Sequence, residues 1–240
     1  MNTPGGPRIG PWTAIGLLVL TFAALEVVLP PLRMVLAPAL TAPRDIVAVR
    51  AVSSIVLVWT LFGAVWLLLR LRGQRLADIG WGRPARLWGW VLAAVFAALY
   101  GGGTASNMAR LGAPILTDWS LFRVAVAVGI GVSAGICEEV VFRGFVMGQA
   151  RDGGAHWSIQ LVLSALLFGL AHVGWGGMSG HVEIAQIVGA VAATSILGLM
   201  MATTFLAGGR SLTPAIAAHG VIDLAIEPWL LLFAVTGGHF

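Results

Sequence analysis

The sequence has few charged residues, one cysteine and no lysine, and the first two deficits exclude classes of protein. Only 10% of the 240 residues are charged and 58% are hydrophobic. Because a soluble domain has about a quarter of its residues charged, we expect a polytopic membrane protein. The single cysteine, Cys137, excludes an intrachain disulfide and any multi-cysteine zinc or iron–sulfur site. The net charge of +4 comes from arginines beside anionic lipid, and it gives no argument for nucleic acid as a partner.

Apolar segments follow one another along the whole chain, and a membrane-spanning helix needs about 20 such residues. The predicted spans are Trp12–Leu29, Ile46–Leu69, Leu87–Thr104, Leu121–Gln149, Trp157–Val173, Ile184–Leu206 and Leu212–Ile226. A last stretch, Pro228–Val235, is too short to cross alone and is expected to re-enter or cap the bundle. Prolines break the segment Pro30–Arg44, which we expect at the membrane interface. The prediction is an all-α transmembrane bundle of seven to eight spans.

The most polar segment lies between the second and third spans and sets the predicted orientation. Residues 70–86 hold five arginines, so the positive-inside rule assigns this loop to the cytoplasm. The use of arginine without lysine hints at a bacterial genome, and we expect the inner membrane of a bacterial cell. No soluble insert separates the spans, so residues 1–240 are expected to form one membrane domain.

Ionisable residues inside the spans are the candidates for function, because burying a carboxylate in a membrane costs roughly 2.5 kcal/mol or more. Glu139 and Arg143 are four residues apart, so they share a helix face and are expected to form an ion pair. That pairing leaves Glu138 without a charged partner. Glu26 is isolated in the first span and is interpreted as structural. Cys137 is interpreted as a small buried apolar residue.

Two later spans carry polar residues at the same helical spacing. His219 and Asp223 are four residues apart, and Phe168 precedes His172 by four, which favours packing of the phenyl ring against the imidazole. At about 1.5 Å per residue, Glu138, His172 and His219 lie roughly 20, 22 and 13 Å from the cytoplasmic ends of their helices. These similar depths predict one shared internal cavity.

Peptide hydrolysis without a covalent intermediate needs a base that activates water and donors that bind the oxyanion. Glu138 is the candidate base, with His172 sharing or orienting the water. His219 would face the developing oxyanion.

Three short motifs resemble those of the CPBP intramembrane proteases, the family that includes the CaaX prenyl endopeptidases. "EEVVFR" (Glu138–Arg143) resembles EExxxR, "FGLAH" (Phe168–His172) resembles FxxxH, and "HGVID" (His219–Asp223) resembles Hxxx(N/D). The resemblance implies a helical membrane endopeptidase acting on a peptide or protein substrate, lipidated or membrane-embedded. Its catalytic core would lie at about 119–226, with N-terminal spans and the arginine-rich loop in residues 1–118. The residues that would line the site are Glu138, His172, His219 and Asp223, supported by Glu139, Arg143 and Phe168.

One residue departs from the resemblance, because the CaaX endopeptidases usually carry asparagine at the position of Asp223. Aspartate donates a hydrogen bond only when it is protonated. Asp223 is therefore neutral, or it orients His219, or it helps to bind a metal. Zinc could be held by Glu138, His172, His219 and Asp223. We favour an enzyme without a tightly bound metal.

Two other functions fit parts of the same sequence. "GMSG" (Gly177–Gly180) matches the GxSG of rhomboid-type serine proteases, with Ser179 as nucleophile and His219 as base. Ser179 lies in a glycine-rich loop, away from the predicted depth of His219. The second alternative is a non-enzymatic membrane protein, such as a transporter, an immunity factor or a scaffold, that uses the polar cavity for binding.

Overall fold

The structure is a computed structural model that describes residues 9–36, 43–110, 121–173 and 184–226. These ranges contain helices and no strand. In chain order the helices are α1 (Pro11–Leu36), α2 (Pro43–Leu71), α3 (Leu87–Phe96), α4 (Gly102–Arg110), α5 (Leu121–Glu138), α6 (Met147–Asp152), α7 (Trp157–Leu170), α8 (Ile184–Ala207) and α9 (Leu212–Ile226). A short 3₁₀ turn, Leu76–Ile79, lies in the arginine-rich loop.

Two π-helical segments interrupt the longer helices without ending them. The first, Ala97–Gly101, joins α3 to α4, and the second, Glu139–Val146, joins α5 to α6. All eight residues of the second π segment are buried. A π turn adds a residue to the helix circumference, and such turns occur often at functional sites. The spacing of apolar residues predicted an ordinary helix here, so the π segment is a finding of the structure.

Five helical stretches are long and apolar enough to cross a membrane: Pro11–Val28, Val47–Leu71, Leu87–Asn107, Val124–Asp152 and Ile187–Ala207. The shorter apolar helices α7 and α9 complete a bundle of seven within the described ranges. Large apolar side chains are exposed on the outside of the bundle, where they face lipid. The protein is therefore an integral multi-pass membrane protein, and the predicted all-α bundle is confirmed. Pro228–Val235 lies outside the described residues.

The first helix is longer than predicted. α1 continues through Pro30 and Pro31 to Leu36, where a break at the prolines was expected. Proline has a φ angle compatible with a helix, and a membrane helix tolerates it when the carbonyl groups it releases find other partners. The expected interfacial segment Pro30–Arg44 therefore begins as helix.

The arginine-rich loop packs against the ends of the later helices. Arg72 forms an ion pair with Asp152 at 3.8 Å. Arg210, just before α9, donates from Nη2 to Gln160 Oε1 at 2.6 Å. These contacts bring residues 70–86 and the adjacent ends of α6, α7 and α9 to one end of the bundle. The depths predicted for Glu138, His172 and His219 are distances along their helices from this end of the bundle.

Glycines allow α5 and α9 to approach closely. A Cβ atom added at Gly135 would lie 3.0 Å from the Cα of Gly220, and one at Gly131 would lie 3.2 Å from the Gly220 carbonyl oxygen. Gly131 and Gly135 form a GxxxG pattern, which lets membrane helices pack backbone to backbone. This contact lies less than one helical turn from Glu138 and His219 in sequence. It holds those two side chains within reach of each other.

Candidate active site

The second π segment carries a buried ion pair. Arg143 Nη1 lies 2.9 Å from Glu139 Oε1, and both side chains are fully buried, so the predicted pair is confirmed. Arg143 also donates from Nη2 to the Gly198 carbonyl at 3.1 Å, and its guanidinium lies 4.4 Å from the Phe168 ring centre. A buried charge is stable only when it is paired and hydrogen-bonded. The pair anchors the middle of this helix to α7 and α8.

His219 is held by the same carboxylate. Its Nδ1 lies 2.8 Å from Glu139 Oε1, a contact between residues 80 positions apart. An ionised carboxylate only accepts hydrogen bonds, so Nδ1 carries the proton and donates it. The Nε2 atom then points the other way, 3.9 Å from Glu138 Oε2 and 3.6 Å from Asp223 Oδ2. Glu139 therefore sets both the orientation and the tautomer of His219.

His172 has an equally fixed tautomer. It lies in a tight turn just after α7, where its Nδ1 is 2.8 Å from the Phe168 carbonyl oxygen. Because a carbonyl only accepts, Nδ1 donates, and Nε2 is the acceptor nitrogen of the neutral ring. The Phe168 ring lies 4.8 Å from the His172 ring and 5.6 Å from the His219 ring. The predicted packing of Phe168 on His172 is confirmed, and the same ring also contacts His219.

The predicted site residues meet at one cavity of about 380 Å³. Its wall includes Glu138 from α5, His172 after α7, and both His219 and Asp223 from α9, so the predicted convergence is confirmed. Phe168 also lines it, whereas Glu139 and Arg143 lie behind the wall. This arrangement separates groups that can touch a substrate from groups that hold them.

The geometry agrees with a comparison of the sequence with known families. A family model described as type II CAAX prenyl endopeptidase, Rce1-like, matches residues 117–225. Residues 117–225 (the CaaX domain) are therefore similar to this endopeptidase family, and the resemblance of the three motifs is confirmed. That range contains all three motifs and the second π segment. No curated protein and no solved structure matches the chain.

The CaaX domain does not supply the whole cavity wall. Other helices contribute to the same cavity: α1 through Glu26, α2 through Arg50 and Ser54, the first π segment through Tyr100, and α4 through Thr104. Glu26, which the sequence analysis interprets as structural, lies on the cavity wall. The available signal was a charged residue within an apolar span, which is costly to bury and often functional. Arg50 carried that signal as well.

Two side chains beside the motifs complete the description of the site. Cys137 is buried and lines the cavity next to Glu138, which fits its interpretation as a small apolar residue. Ser164 donates from Oγ to the Phe142 carbonyl at 3.1 Å and so satisfies a backbone group of the second π segment. No motif or charge in the sequence pointed to Ser164. The alternative nucleophile Ser179 lies outside the described residues.

The CaaX domain contains side chains of the types that bind zinc. Zinc binds through histidine nitrogen and carboxylate oxygen, usually with three or four ligands. In the part of the chain that the structure describes, no group of three or more histidine, cysteine, aspartate or glutamate residues is arranged to hold a metal ion.

Proposed function

We propose that this protein is an intramembrane endopeptidase that hydrolyses a peptide bond with water activated by Glu138 and His172. The observation that carries the proposal is the convergence of Glu138, His172, His219 and Asp223 on one cavity within a CaaX protease domain. Glu138 Oε2 has no hydrogen-bond partner among the described residues, so it has an open lone pair for water.

The reaction follows from the fixed tautomers. A water molecule between Glu138 and His172 gives a proton to the Glu138 carboxylate while its oxygen attacks the carbonyl carbon of the substrate. His172 Nε2, an acceptor, orients that water. The resulting tetrahedral intermediate collapses as its C–N bond breaks. Glu138 then returns the proton to the departing amine, and the two products are a carboxylic acid and an amine.

The oxyanion needs a donor, and the tautomer of His219 limits the choices. With Nδ1–H bonded to Glu139, Nε2 donates only if the ring is doubly protonated. The carboxylates beside it would balance that charge. Asp223, with Oδ2 3.6 Å from Nε2, donates only in its neutral form. We propose that His219 and Asp223 form the oxyanion site, and that one proton, carried by His219 Nε2 or by Asp223 Oδ2, supplies its hydrogen-bond donor.

The substrate class follows from the family and from the membrane location of the cavity. The matched family is described as prenyl endopeptidase. We propose a peptide or protein substrate that is membrane-embedded or lipidated, and a location in the inner membrane of a bacterial cell. We also propose that catalysis needs no tightly bound metal, so a chelator should leave cleavage unchanged.

The test is cleavage of a peptide library, with and without prenyl groups, by the purified protein in lipid bilayers. Glu138→Gln should lower kcat by roughly 10²–10⁴-fold, because that is the usual contribution of a general base. Its thermal unfolding should be unchanged. The adjacent substitution Cys137→Ala is the matched control and should preserve cleavage.

Three outcomes would contradict the proposal. Undiminished cleavage by Glu138→Gln would show that Glu138 is not the general base. Loss of cleavage in Ser179→Ala would favour a serine protease. A wild-type protein that cleaves nothing, while its cellular phenotype survives Glu138→Gln, would indicate a transporter, immunity factor or scaffold. Loss of activity on chelation, restored by zinc, would overturn the metal-free mechanism alone.

A further inference from the structure

The proposed oxyanion site contains one hydrogen-bond donor, the proton carried by His219 Nε2 or by Asp223 Oδ2. Active sites that form a tetrahedral intermediate aim several preorganised donors at the oxygen where negative charge develops. Such a donor is worth more in a cavity within a membrane protein than in water, because the local dielectric constant is lower. A second donor beside Asp223 would therefore accelerate the proposed reaction.

Tyr100 lies beside Asp223 because the first π segment packs against α9. Tyr100 belongs to that segment and lines the cavity. A Cβ atom added at the next residue, Gly101, would lie 3.6 Å from Ile222 Cγ1 and 3.8 Å from Ile222 Cα. Asp223 follows Ile222 and lines the same cavity. An ionised Asp223 carboxylate is close enough to interact electrostatically with the Tyr100 hydroxyl.

The hydroxyl hydrogen of Tyr100 is held weakly. Tyr100 Oη donates to the carbonyl oxygen of Ala193 at 3.3 Å, whereas such O–H···O bonds are usually about 2.7–2.8 Å long. Ala193 lies within α8, where a carbonyl also accepts from the amide four residues later. The Ala193 carbonyl therefore keeps a partner when the hydroxyl hydrogen turns away, and the tyrosine can give this hydrogen bond to another acceptor at little cost.

We propose that Tyr100 is a further catalytic residue, which donates its hydroxyl hydrogen to the oxyanion together with the donor of His219 and Asp223. Without substrate the hydrogen points to Ala193, and it turns to the substrate oxygen as negative charge develops there. The proton stays on Tyr100 throughout, so only hydrogen bonds change. This inference rests on the proposed peptidase function and adds a residue to it. Tyr100 lies outside the matched residues 117–225, so the family match does not assign it.

The first test compares two variants that each lose a single hydroxyl. Tyr100→Phe keeps the ring, and it should lower kcat by roughly 10²–10³-fold, the usual effect of losing one oxyanion donor. KM should change by less than about threefold, because the bond forms only as the transition state is approached. The matched control is Thr203→Val, which loses a hydroxyl bonded to the Leu199 carbonyl of α8, outside the cavity wall. Its kcat should equal that of the wild type.

The second test measures binding without turnover. A phosphinic peptide places an anionic oxygen on a tetrahedral phosphorus atom in place of the attacked carbonyl, so it imitates the intermediate. Tyr100→Phe should weaken binding of this inhibitor by about the same factor as it lowers kcat. Binding of the corresponding amide peptide, measured with Glu138→Gln and with Glu138→Gln/Tyr100→Phe so that it is not cleaved, should be the same for both proteins.

The chain has one tyrosine, so incorporation of 3-fluorotyrosine labels position 100 alone. The fluorine NMR signal of the labelled protein should shift further with the phosphinic peptide than with the amide peptide, because only the first offers an anionic oxygen to the hydroxyl. Equal shifts would show that Tyr100 does not distinguish the two ligands and would contradict the inference.

Failure of this inference can be told apart from failure of the proposed function. If the wild type cleaves peptides and Tyr100→Phe retains at least about a third of its kcat, Tyr100 is not a donor and the peptidase stands. Equal weakening of amide and phosphinic peptide binding would make Tyr100 a packing or substrate-binding residue and overturn the inference. A protein that cleaves nothing, but prefers the phosphinic peptide only when Tyr100 is present, supports the donor and rejects the peptidase. Absence of both cleavage and that preference overturns both proposals.

Discussion

At the scale of single residues, Glu139 connects most of the site. Its Oε1 atom lies 2.9 Å from Arg143 Nη1 and 2.8 Å from His219 Nδ1. One carboxylate oxygen therefore holds a cation on its own helix and a histidine on α9. The two adjacent glutamates therefore differ in position: Glu138 lines the cavity, and Glu139 lies behind it, where it holds Arg143 and His219.

Replacing Arg143 should lower the free energy of unfolding, because it breaks the buried ion pair with Glu139. Arg143→Met leaves Glu139 buried without its cation, and breaking such a pair costs about 3–5 kcal/mol of unfolding free energy. The double variant Arg143→Met/Glu139→Leu should recover most of that loss, because no charge remains buried. Cleavage should not recover, since His219 has lost its anchor. Unfolding in detergent measures the first effect and peptide cleavage the second.

The control for this prediction is Arg70→Met, a change at an exposed position, which should alter unfolding free energy by about 0.5 kcal/mol or less. A double variant as unstable as the single one would show that packing of the arginine side chain, and not its charge, stabilises the helix.

Asp223 should tolerate the amide that is usual in related endopeptidases. Asp223→Asn keeps the shape and supplies a permanent donor, so kcat/KM should change by less than about tenfold. Asp223→Leu removes the donor and should lower kcat by roughly 10²–10³-fold, the usual effect of losing one oxyanion donor. Inactivity of Asp223→Asn with intact folding would assign an ionised carboxylate to this position instead. Steady-state kinetics with a peptide substrate distinguish a neutral, donating Asp223 from an ionised one.

At the scale of helices, the site depends on close packing and on one irregular turn. The second π segment carries Glu139 and Arg143 on the helix that also presents Glu138, and α9 carries His219 opposite. Glycines on α5 and α9 bring the two backbones together. The separation of Glu138 and His219 is therefore set by residues without side chains.

Adding a methyl group at this contact should separate the helices. Gly135→Ala places a Cβ 3.0 Å from backbone atoms of Gly220, which cannot move aside as a side chain can. Overpacking of this kind costs typically about 1–3 kcal/mol. Both the melting temperature and the cleavage rate should fall.

The matched control is Gly189→Ala in α8, where an added Cβ meets nothing within 4 Å. Alanine there should be neutral or stabilise by about 0.5–1 kcal/mol, because glycine disfavours a helix. Equal effects of the two substitutions would show that helix propensity, and not the α5–α9 contact, determines the outcome.

At the scale of the whole molecule, the N-terminal helices belong to the site. α2 packs on α5 through a buried cluster that includes Val47, Ala51, Val126, Ile130 and Ala134. α1 and α2 also supply part of the cavity wall, although they lie outside the family match. The matched domain therefore does not enclose the cavity by itself.

Deleting residues 1–86 should abolish activity even though every motif remains. Loss of α1 and α2 uncovers the buried cluster on α5 and opens the cavity to lipid, so the truncated protein should be unstable and inactive. Co-expression of residues 1–86 as a separate fragment should restore cleavage in membranes. A truncated protein that cleaves peptides as fast as the full chain would show that residues 87–240 form the site without α1 and α2.

The amino-acid sequence by itself determined the helical membrane class, the order of the spans and four of the polar residues that line the cavity, Glu138, His172, His219 and Asp223. Hydropathy and four-residue spacing are local properties, so they were sufficient for the Glu139–Arg143 pair and for the packing of Phe168 on His172. Only the tertiary structure decided the bond between Glu139 and His219, the second π segment, and the positions of Glu26 and Arg50 on the cavity wall. These features depend on how each helix is rotated about its axis and on its register with its neighbours. Contacts between residues far apart in the sequence set that rotation and that register.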